Sequence, residues 1–174
     1  PKDVLNAIEK NSITGLASIP PLWVQLVKLK WAEKAKESLR YITNSGGVMP
    51  RATLSKLIAI LPDTQIYLMY GLTEAFRSTY LPPDQVHIRP TSIGRAIPNA
   101  CVDVVRKDSS ICGPHEAGEL VHRGSLVSLG YWNNPEKTAL RFKVASGQEN
   151  GLITEEMAVW SGDTVKMDDE GYLY

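Results

Sequence analysis

The chain has 174 residues, 43% of them hydrophobic and 22% charged, and its 19 basic residues balance its 19 acidic residues. This composition is typical of a globular protein with one domain or two small lobes, and the absence of a basic stripe argues against nucleic acid as a partner. No apolar run reaches the roughly 20 residues of a membrane span, and no signal segment opens the chain.

The N-terminal part is predicted to begin with two helices and one strand. Apolar positions at helical spacing predict helices over residues 1–10 and 22–31, and the run between them predicts a buried strand over residues 13–19. Trp23 and Trp31 lie on the apolar stripe of the second helix, so we expect them in the core.

A strand–helix–strand unit follows. The charged run at residues 28–36 is expected to be a solvated face and loop, and residues 39–44 predict a strand. Pro50 suits the first turn of a helix that continues to Leu61, and residues 65–69 predict the next strand. The crossover is long enough for a parallel, right-handed connection.

The segment Tyr70-Gly71-Leu72-Thr73-Glu74-Ala75 follows the second of these strands. Gly71 should end the strand, the Thr73 hydroxyl is expected to cap a helical turn, and Glu74 places a carboxylate at the same end. Open α/β sheets bind ligands beyond the carboxyl ends of their strands. This loop and the earlier loop Ser45-Gly46-Gly47 are therefore predicted to form one ligand-sized crevice, although the spacing also fits an ordinary strand-to-helix turn.

The second half of the chain is predicted to be rich in strands. Short β-type runs occur at residues 100–105, 118–122, 157–160 and 164–167. Between them, Asn134 is the candidate N-cap of one helix that begins at Pro135, and residues 147–154 are predicted to form a flexible loop. The predicted fold class is α/β, with a parallel-sheet lobe over residues 1–88 and a mostly antiparallel β lobe or distorted barrel over residues 89–174.

Few other residues suggest chemistry. His115, Glu119 and His122 are close in sequence, but Glu119 and His122 would point to opposite faces of a strand, so surface roles are expected. Cys101 and Cys112 match no metal spacing and could pair only if the strands around them met, so free thiols in a cytoplasmic protein are the simpler prediction. The chain has no G-x-x-x-x-G-K-[ST] phosphate loop.

The segment at residues 70–75 resembles the central motif of the adenylate-forming enzymes, which include acyl-CoA synthetases, luciferases and peptide-synthetase adenylation domains. Further matching segments stand in the family's order. They are Ser45-Gly46-Gly47, residues 92–98, 118–124 and 130–138, Ser161-Gly162-Asp163 and residues 169–172. The resemblance covers residues 41–174 and is nearest to the free-standing acyl-CoA ligases.

The resemblance implies a two-step reaction with ATP, Mg²⁺ and coenzyme A. A small-molecule carboxylate attacks the α-phosphorus of ATP to give an acyl-adenylate, and the thiol of coenzyme A then displaces AMP. Two alternatives remain: an adenylation domain that loads the thiol of a carrier protein, and a non-catalytic interaction scaffold. The identity of the acyl substrate is not predicted.

The resemblance also implies roles for individual residues. Thr73 would bind the α-phosphate and Glu74 would hold Mg²⁺, which makes these two the catalytic candidates, while Asp163 would bind the ribose hydroxyls. Phe76 and Arg77 would lie at the acyl pocket or its rim. The nucleotide-binding candidates are Ser45, Gly46, Gly47, Tyr70, Gly71, Leu72, Thr73 and Asp163; among them, Gly46 and Gly47 would line the adenine and acyl pockets, and Tyr70 would lie against the adenine.

The family's phosphate loop would precede Pro1, and its mobile C-terminal domain, with the lysine that promotes adenylation, would follow Tyr174. We therefore expect this chain to be a piece of a longer enzyme and to be inactive alone.

Overall fold

The computed structural model describes residues 1–149 and 152–174. The helices are α1 (Lys2–Asn11), α2 (Pro20–Leu26), α3 (Glu33–Ser38), α4 (Arg51–Ile60), α5 (Pro135–Arg141) and a short 3₁₀ helix (Pro83–Gln85). The strands are β1 (Gly15–Ser18), β2 (Tyr41–Asn44), β3 (Gln65–Tyr70), β4 (Thr79–Leu81), β5 (Arg95–Ala96), β6 (Ala100–Val105), β7 (Ala117–Gly124), β8 (Phe142–Glu149) and β9 (Leu152–Lys166).

The chain divides into two compact units. Unit 1 comprises Pro1–Tyr70 and Tyr80–Gly94, and unit 2 comprises Gly71–Thr79 and Arg95–Tyr174. The predicted boundary between residues 88 and 89 lies within unit 1. The loop that follows β3 belongs to unit 2, although it is flanked in sequence by segments of unit 1.

Unit 1 contains the predicted parallel sheet. Strands β1, β2 and β3 pair in parallel, with Ser18 opposite Asn44 and Asn44 opposite Leu68. Helix α4 connects β2 to β3 and buries Leu54 and Leu57 completely or nearly so. The strand–helix–strand unit predicted from the hydrophobic spacing is therefore confirmed.

Three predictions for unit 1 need correction. Strand β1 is half-buried rather than buried. Helix α2 ends at Leu26 instead of residue 31, although Trp23 and Trp31 are core residues as predicted, and the Trp31 indole donates to the Leu26 carbonyl at 3.0 Å. The charged run at residues 28–36 overlaps the first part of helix α3, which the sequence does not predict because Ala35 is its single buried residue and no apolar stripe marks it.

Unit 2 is built on a four-stranded antiparallel sheet in the order β6-β7-β9-β8. Strand β6 has its predicted bounds. Residues 157–160 and 164–167 were predicted as separate strands, but most of both lie in the single 15-residue strand β9. The predicted flexible loop is also wrong where it is described: residues 147–149 pair with residues 152–154 across β8 and β9. Residues 150 and 151 lie outside the described part.

Helix α5 begins as predicted, because the Asn134 side chain accepts a hydrogen bond from the Lys137 backbone N–H at 3.0 Å. Cys101 and Cys112 are free. None of the helices in the described residues has the length and apolar character needed to cross a bilayer.

Candidate functional site

The candidate residues of unit 1 lie at the carboxyl ends of β2 and β3. Ser45, Gly46 and Gly47 follow β2, and Tyr70 is the last residue of β3. The buried Asn44 side chain donates to the Gly47 carbonyl at 3.0 Å and so closes the loop, and Gly46 takes a positive φ of 74°. Both glycines are exposed, so their backbone is open to a ligand at this edge.

A cleft of about 950 Å³ opens at the opposite edge of the same sheet, where Tyr41 and Gln65 begin β2 and β3. Parallel sheets bind ligands at the carboxyl ends of their strands. The size of this cleft therefore does not make it the better candidate.

In unit 2, Gly71, Leu72, Thr73 and Glu74 form a turn rather than the start of a helix. The Leu72 N–H donates to the Ala75 carbonyl at 3.0 Å. No helix follows within the described residues 71–78, so the prediction that Thr73 caps a helical turn is wrong. Thr73 is exposed on this turn.

Gly71 is required by the close packing of this turn. A Cβ atom at residue 71 would lie 2.1 Å from the backbone nitrogen of Arg77, and Arg77 itself has a positive φ of 52°. The two ends of the loop therefore approach each other more closely than any side chain allows.

Glu74 is held by a segment far away in sequence. Its backbone carbonyl accepts from the Ser128 N–H at 2.8 Å, and the adjacent Ala75 forms a β-bridge with Val127. Its carboxylate accepts a hydrogen bond from the Tyr131 hydroxyl. This bond lowers the pKa of Glu74 against the opposing effect of burial, and the positive charges of Arg141 and Lys137 lower it further. Glu74 is therefore an ionised carboxylate at neutral pH.

Asp163 lies on an irregularity in the sheet. The pairing of β7 with β9 shifts between Glu119 and Val121, so that Ser161, Gly162 and Asp163 of β9 stand opposite the single residue Leu120 of β7. Gly162 adopts a positive φ of 78°, and its N–H donates to the Glu119 carboxylate at 2.9 Å. Asp163 is exposed beside it.

Arg141 connects the Glu74 loop with this bulge. Its guanidinium lowers the pKa of Glu74 and donates to the Trp160 carbonyl at 3.0 Å, directly before the bulge. A Cβ atom on Gly162 would lie 2.8 Å from the same guanidinium nitrogen. One cation is thus shared by two of the predicted site elements within unit 2.

His122 lies close to Asp163 and corrects an expectation. It is completely buried rather than on the surface, because the strand face it occupies packs into the core. Burial lowers the pKa of His122 to about 4, against the opposing charge of Asp163. His115 is exposed as expected and lies 2.8 Å from Asp169.

The described residues contain no group of three or more His, Cys, Asp or Glu side chains that could hold a metal ion. A cation at Glu74 would take its remaining ligands from water or from a bound phosphate, which is the usual mode for Mg²⁺. Sequence reasoning missed Tyr131, Lys137 and Arg141. Tyr131 stands in a segment that resembles the family pattern, whereas no sequence signal marked Arg141.

A family model described as "AMP-binding enzyme" matches residues 1–132. The chain belongs to the AMP-binding enzyme family. Acyl-CoA synthetase 7 of Caenorhabditis elegans is 31% identical over 176 residues, which is 98% of this chain and 29% of that protein. Acyl-CoA ligase sidI of Aspergillus fumigatus is 32% identical over 178 residues, or 99% of this chain and 28% of that protein.

The fold agrees with this assignment. The crystal structure of VinN matches with a TM-score of 0.81 and 28% identity, over 98% of this chain and 41% of that chain. The predicted fold class is confirmed. This AMP-binding family member spans less than a third of the length of the two curated relatives. The names of these relatives point to neither carrier-protein loading nor a non-catalytic scaffold.

Proposed function

We propose that the chain forms part of an ATP-dependent carboxylate–coenzyme A ligase. The carboxylate oxygen bonds to the α-phosphorus of ATP as the bond to pyrophosphate breaks. The coenzyme A sulfur then attacks the acyl carbon, AMP leaves, and the thiol proton passes to solvent. The observation that carries the proposal is the ionised, preoriented Glu74 carboxylate on a loop that also carries Thr73.

Glu74 is suited to bind Mg²⁺, because Mg²⁺ prefers carboxylate oxygen and because Tyr131, Arg141 and Lys137 stabilise the negative charge of Glu74. When bound, the ion would neutralise charge on the phosphates. The Thr73 hydroxyl donates to the α-phosphate oxygens, where negative charge develops as the new bond forms. Thr73 and Glu74 are adjacent in a tight turn, which suits binding of the α-phosphate by one residue and of Mg²⁺ by the next.

The remaining candidates bind the nucleoside. The exposed Gly46 and Gly47 backbone lines the adenine and acyl pockets, and Tyr70 lies against the adenine. Asp163 accepts hydrogen bonds from the ribose hydroxyls, for which an exposed carboxylate on a bulge is suited. Ser45, Gly71 and Leu72 shape the loops that carry these groups.

The test is ATP–pyrophosphate exchange in the whole protein, with a panel of carboxylic acids, followed by acyl-CoA formation on addition of coenzyme A. Glu74→Gln should reduce exchange about 100-fold or more, and Asp163→Ala should raise the KM for ATP about 10- to 100-fold, since each loses a charge-assisted interaction.

Glu33→Gln is the matched control, because the Glu33 side chain is 78% exposed and forms a salt bridge with Lys36 at 2.7 Å. It should leave exchange unchanged. Exchange that survives both Glu74→Gln and Asp163→Ala at the parent rate would contradict the proposal.

We further propose that the 174 residues alone do not catalyse the reaction. They span 29% of the length of the C. elegans relative and contain no G-x-x-x-x-G-K-[ST] phosphate loop. Exchange measured on the 174-residue chain should stay at background, and clear turnover would contradict this point.

The free cysteines are in keeping with the proposed cytoplasmic location.

A further inference from the structure

Tyr131 reaches Glu74 across 57 positions of sequence. Its hydroxyl donates to one carboxylate oxygen, Oε1, and the second oxygen, Oε2, is not part of this bond. The donor is a neutral phenol, so the hydrogen bond orients the carboxylate without cancelling its charge. The charges of Lys137 and Arg141 act on the same carboxylate, and Arg141 also forms a hydrogen bond with the Tyr131 side chain.

The Tyr131 ring is itself fixed from several sides. The Tyr131 N–H donates to the Thr138 hydroxyl at 2.9 Å. The ring meets the buried Phe142 edge-on, with centroids 5.7 Å apart and planes at 85°, and the Lys137 ammonium lies 4.5 Å from its centroid. The hydroxyl therefore has a defined position before any ligand binds.

The same segment also fixes the Glu74 backbone. Ser128 donates to the Glu74 carbonyl at 2.8 Å, and Val127 bridges Ala75. Residues 127–131 thus fix the position of both the Glu74 backbone and the Glu74 carboxylate. This double attachment distinguishes Tyr131 from a residue that happens to touch a flexible glutamate.

We propose that Tyr131 is a positioning residue for the metal ligand: its hydroxyl holds Oε1 of Glu74 so that Oε2 binds the cation in a fixed direction. This inference rests on the proposed function, in which Glu74 binds Mg²⁺. Outer hydrogen bonds of this kind tune metal sites, and their loss commonly weakens metal binding about 10- to 100-fold.

The experiment measures Mn²⁺ binding by electron paramagnetic resonance, in the whole protein with a non-hydrolysable ATP analogue. A second measurement on the same proteins follows the rate of ATP–pyrophosphate exchange as a function of the Mg²⁺ concentration. Tyr131→Phe removes the hydroxyl and keeps the ring. Tyr67→Phe is the matched control, since it removes a tyrosine hydroxyl that donates to Gln65 at 3.0 Å on an exposed part of unit 1.

Tyr131→Phe should raise the Mn²⁺ dissociation constant and the half-saturating Mg²⁺ concentration about tenfold, while the exchange rate at saturating Mg²⁺ stays within about twofold of the parent. Tyr67→Phe should change neither. A merely structural role would instead lower the rate at saturating Mg²⁺. Unchanged Mn²⁺ binding in Tyr131→Phe would overturn the inference.

Glu74→Gln separates the two levels of the proposal. If it leaves Mn²⁺ binding intact, the metal assignment in the proposed function fails; if it abolishes binding while Tyr131→Phe has no effect, only the positioning role fails. Should Tyr131→Phe not fold, Thr138→Val loosens the Tyr131 backbone and retains the ring. It should weaken Mn²⁺ binding in the same direction, and parent-like affinity would again overturn the inference.

Discussion

Replacing the buried His122 should remove a specific part of the acid sensitivity of this protein. His122 is fully buried, and burial lowers its pKa from 6.5 to about 4, although the charge of Asp163 opposes the shift. In the unfolded chain the imidazole takes up a proton below about pH 6.5. The stability contributed by keeping it neutral is therefore complete above pH 6.5 and is lost as the pH falls towards 4.

The magnitude follows from the two pKa values. Linkage gives a loss of about 2 kcal/mol at pH 5 and about 3 kcal/mol at pH 4, relative to neutral pH. Carboxylates contribute to the same pH range, so the prediction concerns a difference between variants. His122→Gln, which places a neutral amide at this position, should lose about 2 kcal/mol less stability between pH 7.5 and pH 5 than the parent chain.

Urea denaturation at the two pH values measures this difference. His87→Gln is the matched control because His87 is exposed, and it should keep the full parental pH dependence. Equal pH dependence in His122→Gln and the parent would refute the reasoning. If His122→Gln does not fold, the imidazole signals of the parent can be followed by nuclear magnetic resonance, and a midpoint for His122 near 6.5 would refute it equally.

Two further substitutions test the local geometry. Gly71→Ala would place a Cβ atom 2.1 Å from the Arg77 backbone nitrogen, so it should lower the free energy of unfolding by about 1–3 kcal/mol or more in thermal denaturation. Gly113→Ala is the control, because its Cβ atom would meet nothing closer than 3.9 Å. It should change the free energy of unfolding little in the same assay. Asn134→Ala removes the side-chain oxygen that accepts the hydrogen bond from the Lys137 N–H at the start of α5. It should lower the free energy of unfolding by about 1 kcal/mol in chemical denaturation, and an unchanged midpoint would show that the cap contributes nothing.

The parts of the fold that the sequence predicted are those in which local pattern and burial agree. Helix α4 places apolar residues at helical spacing and buries Leu54 and Leu57. Asn134 and Pro135 start α5 by short-range chemistry alone. Both signals are contained in fewer than a dozen residues, so no knowledge of distant contacts is needed.

The missed elements depend on contacts that composition does not record. Helix α3 buries only Ala35, so no hydrophobic period marks it. Residues 147–149 pair with residues 152–154 through their backbones, and backbone hydrogen bonds do not require a regular pattern of apolar side chains. The bulge of β9 at Ser161, Gly162 and Asp163 is defined only by its register against β7.

The candidate site shows the same limit in a sharper form. The sequence predicts a helical turn at residues 70–75, yet no helix follows within the described residues 71–78. Glu74 is oriented instead by Ser128 and Tyr131, which lie more than fifty positions later in the chain. A short motif therefore supplies the reacting groups but not their geometry. The geometry of Glu74 should be as sensitive to changes at residues 127–131 as to changes within the motif itself.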